Sequence, residues 1–240
     1  MNYSLDEKST GTLQSQSPFP FQCRKDLPCF TQCCRDVNIF LTPYDVLRLR
    51  RSLGLSAREL LERHTHHYLA GPSHIPVVQL LMDPRTLSCT LVTDQGCRVY
   101  QDRPWACRMY PLDLTPRQGE YRLIVGKDRC LGLRERAVRS AGEWLEGQGV
   151  KEYLEMEEAF QRVIPPGTEP GRTMEPGLGR LLFLAYDLDR FAGLLGDEKL
   201  QRFYELDPST LEAVLRDDEA LLRLAFRYIR SQMEELSALL

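Results

Sequence analysis

All eight cysteines of this 240-residue chain fall between Cys23 and Cys130, and residues 131–240 hold none. A chain of this length buries a core without covalent staples, so a disulfide frame is not needed to fold it. The opening, Met1 to Pro20, is polar and rich in Ser and Gln, without the basic start and apolar stretch of a secretory signal. In a reducing compartment, cysteines crowded into one part of a chain point to metal ligation rather than to disulfides. The expectation is a cytoplasmic metalloprotein.

Composition narrows the partners. The net charge of −3 leaves no basic footprint for nucleic acid. No apolar run approaches the roughly 20 residues that cross a bilayer, so no membrane span is expected. An unidentified protein or redox partner is the expectation that remains.

The spacing of the cysteines carries the chemistry. One loop supplies Cys23, Cys29, Cys33 and Cys34; a hairpin and the turn after it supply Cys89, Cys97 and Cys107; Cys130 follows the last strand. Eight thiolates suffice for two four-ligand sites, and equally for one such site with spare cysteines. Neighbouring side chains of an extended segment point to opposite sides. Cys33 and Cys34 are therefore expected to serve two sites, or two corners of a cluster, with the second group of cysteines completing the first. The bland alternative for each cysteine is a small buried hydrophobe, strongest for Cys89 beside Thr90 and Leu91. Arg108 and Arg129 beside Cys107 and Cys130 are expected to favour thiolate. His64, His66, His67 and His74 are imidazole ligands by type, but their spacing reads better as a solvated helix face.

Around these residues the pattern is α+β and mostly helical. Residues 1–20 read as a disordered lead-in, 21–133 as a cysteine-rich β region with two short helices, and 134–240 as a helical C-terminal part with a mobile Pro/Gly-rich connection at about 165–177. Thr42, Pro43 and Asp45 start a helix ended by Gly54, and Ser56 with Glu59 starts a second that runs on towards Tyr68. Val77 to Met82 reads as a strand, Cys89–Val92 and Cys97–Tyr100 as a hairpin, and Tyr121 to Val125 as a further strand. Leu178 to Leu195 reads as one amphipathic helix, and Asp207-Pro208 as the cap of a last long one.

The four-cysteine run ending in Cys33-Cys34, then Leu41-Thr-Pro-Tyr-Asp45-Val, then Cys89, Gly96-Cys97-Arg-Val-Tyr100 and Arg103-Pro104-Trp-Ala-Cys107-Arg108-Met-Tyr110-Pro111 together resemble the YkgJ-type cysteine-cluster family, also called CxxCxxCC. Asp128 and Cys130-Leu-Gly132 are similar to its closing segment, so the resemblance covers about residues 20–133. The chain departs from the family name in spacing, with five residues between Cys23 and Cys29 and three between Cys29 and Cys33. The resemblance implies zinc or iron on the cysteines. One branch is similar to flagellin lysine N-methylases, which implies an iron–sulfur cluster and methyl transfer from S-adenosylmethionine; no methyl-donor motif stands in this chain.

The cofactor expected is an iron–sulfur cluster of the 4Fe-4S type, with zinc as the alternative. All eight cysteines are the expected ligands. Arg103 and Arg108 are candidates for hydrogen bonds to a bound cluster or an anionic substrate, with an equal case for arginines that bond loop carbonyls. The leading role is redox or cluster-dependent catalysis. The rival is a structural zinc module whose C-terminal helices dock a partner protein.

Overall fold

The computed structural model describes residues 11–71, 73–136, 138–163 and 175–238. The architecture is α+β and mostly helical. Small antiparallel sheets occupy the first 140 residues, and helices follow.

Residues 11–20 are not a disordered lead-in. β1 (Thr12–Gln14) pairs with β8 (Glu120–Leu123), Thr12 lying opposite Arg122. β2 (Pro18–Pro20) pairs with β9 (Val138–Ser140), Phe19 lying opposite Arg139. Phe19 and Phe21 are buried, stacked at 5.4 Å and packed against Trp144. These partners lie far along the chain, so no local pattern announces them. Residues 1–10 lie outside the described residues.

α1 (Pro43–Leu53) begins on the expected capping box of Thr42 and Asp45 and ends at Gly54, whose φ of 64° only glycine adopts freely. α2 (Ala57–His64) starts on Ser56 and Glu59 but stops four residues before Tyr68. Thr65–Leu69 is instead β3, paired with β4 (Pro76–Leu80). Thr65 is β-branched and buried, and the polar His66-His67 pair suits a pleated, half-solvated edge better than a helix continuing over a core. β4 alternates buried Pro76, Val78 and Leu80 with less buried neighbours, the period of a strand.

The expected hairpin shrinks to β5 (Val92–Thr93) and β6 (Gly96–Cys97), and Tyr100 starts a 3-10 turn. α3 (Trp105–Met109) fills the interval between Pro104 and Pro111, and β7 (Leu112–Leu114) pairs with β8. The helices that follow are α4 (Ala141–Gly147), α5 (Val150–Gln161), α6 (Pro176–Leu182), α7 (Leu188–Leu194), α8 (Glu198–Phe203), α9 (Pro208–Arg216) and α10 (Asp218–Ala238).

Two expected helices are thus broken. Leu178 to Leu195 divides at Phe183–Ala185, a 3-10 turn. The last helix divides at Asp217, whose carboxylate accepts the backbone N–H groups of Glu219 and Ala220 and so starts α10 afresh. The connection expected at 165–177 falls outside the described residues up to 174, and Pro176 and Gly177 already belong to α6.

Packing crosses the boundary expected at 133. Tyr44 and Leu47 of α1 share the largest apolar cluster with Tyr153, Phe191, Leu222 and Ile229. A second cluster joins Phe19 and Phe21 to Met109, Cys130 and Trp144. A third places Leu49, Leu60, Val78 and Leu91 against Tyr186. The C-terminal helices therefore form the wall on which the cysteine-bearing region is built.

Candidate metal centre

The loop that carries four of the cysteines is pinned at both ends. At its start the Gln22 N–H donates to Gly132 O at 3.0 Å. The backbones meet so closely that a Cβ on Gly132 would stand 2.9 Å from Gln22 O and from the Phe21 ring. At its end the Cys89 N–H donates to Cys34 O at 2.8 Å, and Arg35 bridges to Ser88. In the middle the Phe30 ring covers Gly96, where φ is 108° and a Cβ would lie 3.1 Å from the ring. The wide spacing from Cys23 to Cys33 is taken up by turns, with Leu27 N–H donating to Arg24 O and Phe30 N–H to Leu27 O. The loop is thereby laid across both the Cys130 segment and the Cys89–Cys97 hairpin.

Cys33 and Cys34 are not in extended chain. They sit in a 3-10 turn, Gln32–Cys34, entered through Thr31 at φ 66°, and their sulfurs lie 3.9 Å apart. A tight turn brings adjacent side chains to one side, where the pleat of an extended chain separates them. The contact also divides the pair: hydrogen bonding between the two thiols makes Cys33 ionise more readily than an ordinary thiol, while Cys34 holds its proton.

All eight cysteines are free thiols. They fall into two sets by which sulfurs feel one another. Cys23 is pushed up to about 11 by desolvation and by the charges of Cys33, Cys130 and Cys29. Cys130 is pushed up by burial, with Cys29 adding to it and the Tyr110 hydroxyl, hydrogen-bonded to its sulfur, opposing. Cys107 is pushed well up by burial first and then by Cys89, Asp45, Cys97 and Cys33. Cys89 and Cys97 are raised by burial too, and Cys34 feels Cys107 and Cys89. One set is Cys23, Cys29 and Cys130, the other Cys89, Cys97 and Cys107, and Cys33-Cys34 is the junction. Among the described residues, no three His, Cys, Asp or Glu side chains already stand at ion-holding distances. The sulfurs are gathered into sets without being drawn onto a point.

Backbone donors reach these sulfurs: Leu131 N–H to Cys29 Sγ at 3.3 Å and Leu91 N–H to Cys89 Sγ at 3.5 Å. Desolvation and crowding of like charge, not arginine, set the thiols of Cys107 and Cys130, opposite to what Arg108 and Arg129 led one to expect. The Arg108 guanidinium is turned away onto three carbonyls: Nε donates to Arg103 O at 3.0 Å, Nη1 to Gln148 O at 2.5 Å, and Nη2 to Gln101 O. It also lies over the Tyr153 ring at 4.4 Å. Arg103 is buried, donates to Tyr100 O and Gln148 Oε1, and lies near Cys97 and Cys107, whose charges it feels.

Asp45 does more than cap α1. Fully buried, it accepts Thr42 N–H at 2.8 Å and, across the fold, Trp105 N–H at 2.7 Å. It ties the helix to α3, which carries Cys107. Gln148, which the sequence did not single out, is the shared acceptor of Arg103 and Arg108. Neither contact has a local signal, because each joins distant segments. His66 and His67 lie on β3, not on a helix, against Tyr68 and Phe183 respectively.

Residues 22–132 match the profile of the CxxCxxCC family, described as a putative zinc- or iron-chelating domain. Residues 22–132 of this chain are a CxxCxxCC domain. The hydrogen bond from Gln22 to Gly132 joins the first and last residues of that match, so the CxxCxxCC domain closes on itself. It is a metal-binding domain. No curated protein and no solved structure matches the chain. Among the described residues no helix is long and apolar enough to cross a membrane.

Proposed function

We propose that the CxxCxxCC domain holds iron–sulfur clusters on two four-thiolate sets, Cys23, Cys29, Cys33 and Cys130 in one and Cys34, Cys89, Cys97 and Cys107 in the other, and that the protein has a redox or cluster-dependent enzymatic role. The observation that carries this reading is the 3.9 Å approach of the Cys33 and Cys34 sulfurs in a loop bonded at Cys34 to Cys89 and at Cys29 to the Cys130 segment. Buried thiols that repel one another as thiolates are donors that a cation relieves, so the donor chemistry fits the group. A bound cluster supplies one-electron transfer.

The chain's own residues would tune that chemistry. The N–H groups of Leu131 and Leu91 donate to thiolate sulfur, which stabilises added negative charge. The Arg103 guanidinium beside Cys97 and Cys107 acts in the same direction. Buried Cys130 and half-buried Cys107 face inward, while exposed Cys23 and Cys33 bring the centre to the surface where an electron partner docks.

A second reading has one observation in its favour. Two sulfurs on one tetrahedral zinc stand about 3.8 Å apart for Zn–S bonds of about 2.3 Å, close to the 3.9 Å between Cys33 and Cys34. Under that reading the metal is structural and the C-terminal helices dock a partner protein. Iron, zinc and acid-labile sulfide per chain, measured on untagged protein purified without oxygen, decide between them. Iron with matching sulfide and a visible absorption bleached by dithionite is the expected result. Zinc without sulfide contradicts the cluster and leaves the structural site.

A further inference from the structure

Away from the cysteines, β3, α6, α7 and the 3-10 turn between those helices border an open cleft of about 180 Å³ lined by His67, Tyr68, Leu69, Arg180, Phe183 and Arg190. Its position is set by a close approach of backbone. Gly179 of α6 presses on the turn after β3 so tightly that a Cβ there would stand 2.1 Å from His74 O and 3.3 Å from the Leu69 side chain. Any other residue would lift α6 off the hairpin and open the cleft. The floor is a pair of rings, His67 and Phe183, with centroids 5.3 Å apart and planes 30° apart. Tyr68, half-exposed, forms one wall.

The rim is two arginines without partners. Among the described residues neither Arg180 nor the Arg190 guanidinium has an ion pair or hydrogen bond. The carboxylates nearest in sequence are committed elsewhere. Asp189 accepts the Ala57 N–H at 2.6 Å and pairs with Arg50, and Asp187 accepts the Arg190 backbone N–H at the start of α7. Two cationic forks over an apolar, aromatic floor select a flat apolar body that bears an anionic group. The volume, below the roughly 300 Å³ of drug-sized sites, holds about one ring.

We propose that this cleft binds an aromatic carboxylate, its ring on His67 and Phe183 and its carboxylate between Arg180 and Arg190. The chemistry is that of a free small acid or of an aromatic residue at a peptide's C-terminus. The inference stands apart from the metal centre and does not depend on which metal fills it.

The test uses the full chain with benzoate, benzylamine and a tetrapeptide ending in Phe with a free carboxylate, followed by NMR shifts at the His67, Tyr68 and Leu69 amides. Saturable shifts with benzoate or the peptide, none with benzylamine, and about tenfold weaker binding in each of Arg180→Ala and Arg190→Ala are the expected results. Tighter binding of the peptide names a chain end as the ligand, and tighter binding of benzoate names a small acid. Both arginines are exposed, so their loss leaves the fold intact. Absence of saturable shifts with both acids, binding of benzylamine as tight as that of benzoate, or unchanged affinity in both variants overturns the proposal.

Discussion

The cysteine loop and the C-terminal helices hold their shape by different means. The helices bury Phe191, Leu222, Ala225 and Ile229 completely, and each large apolar side chain so buried contributes about 1.5–3 kcal/mol. Residues 22–34 contain no fully buried side chain; they are fixed by hydrogen bonds at Gln22 and Cys34 and by the Phe30 ring on Gly96. Such a loop has little apolar burial to set against the entropy of ordering its backbone, about 1–2 kcal/mol per residue. On the proposed reading, a metal on its thiols completes the balance: the core folds the helices, and the metal would fold the loop onto them.

Metal removal breaks this comparison most strongly, since thiolate metal sites contribute on the order of 10 kcal/mol. Under reducing conditions without oxygen, a chelator should strip amide-exchange protection from residues 22–34 and 89–97 while α10 keeps its own. Simultaneous loss across the chain would mean that the two regions fold as one.

Cutting the other side of the comparison has a smaller, global effect. Phe191→Ala should cost about 3–5 kcal/mol in urea unfolding, yet leave metal per folded chain unchanged. A fall in metal content would tie the site to the helical core more closely than described here.

Asp45 joins the two regions and gives the comparison a pH signature. Burial, with Glu157 adding to it, pushes its carboxyl from 3.8 up to about 6, against the hydrogen bonds it accepts. The folded state then holds the extra proton between about pH 4 and 6, so stability falls as pH rises through that window, by about 3 kcal/mol. Ordinary paired carboxylates give the opposite slope. Asp45→Asn should flatten the fall; the check is the difference between variant and wild-type unfolding free energies at pH 4 and pH 7. A difference that does not change with pH refutes the assignment.

Local signals were legible and long-range ones were not. The capping boxes at Thr42 and Ser56, and the stop at Gly54, stand where the residues say they should, because every partner lies within one turn. Thr65 to Leu69 misled as a helix because its pairing partner, Pro76 to Leu80, decides the matter from outside the segment. β1 and β2 escaped notice for the same reason. In the cysteine-rich region the crossing of loop and hairpin could be read from cysteine spacing. The 3-10 turn at Cys33-Cys34, the Trp105 contact of Asp45 and the carbonyl partners of Arg108 could not, since each depends on a neighbour that only folding brings near.

The central claim is that two thiol sets meet at Cys33-Cys34. Metal per chain in Cys29→Ser, Cys107→Ser and the double variant tests it most directly. Two sets predict about half the wild-type metal in each single variant and almost none in the double. Complete loss in either single variant, or full retention in both, would contradict the account.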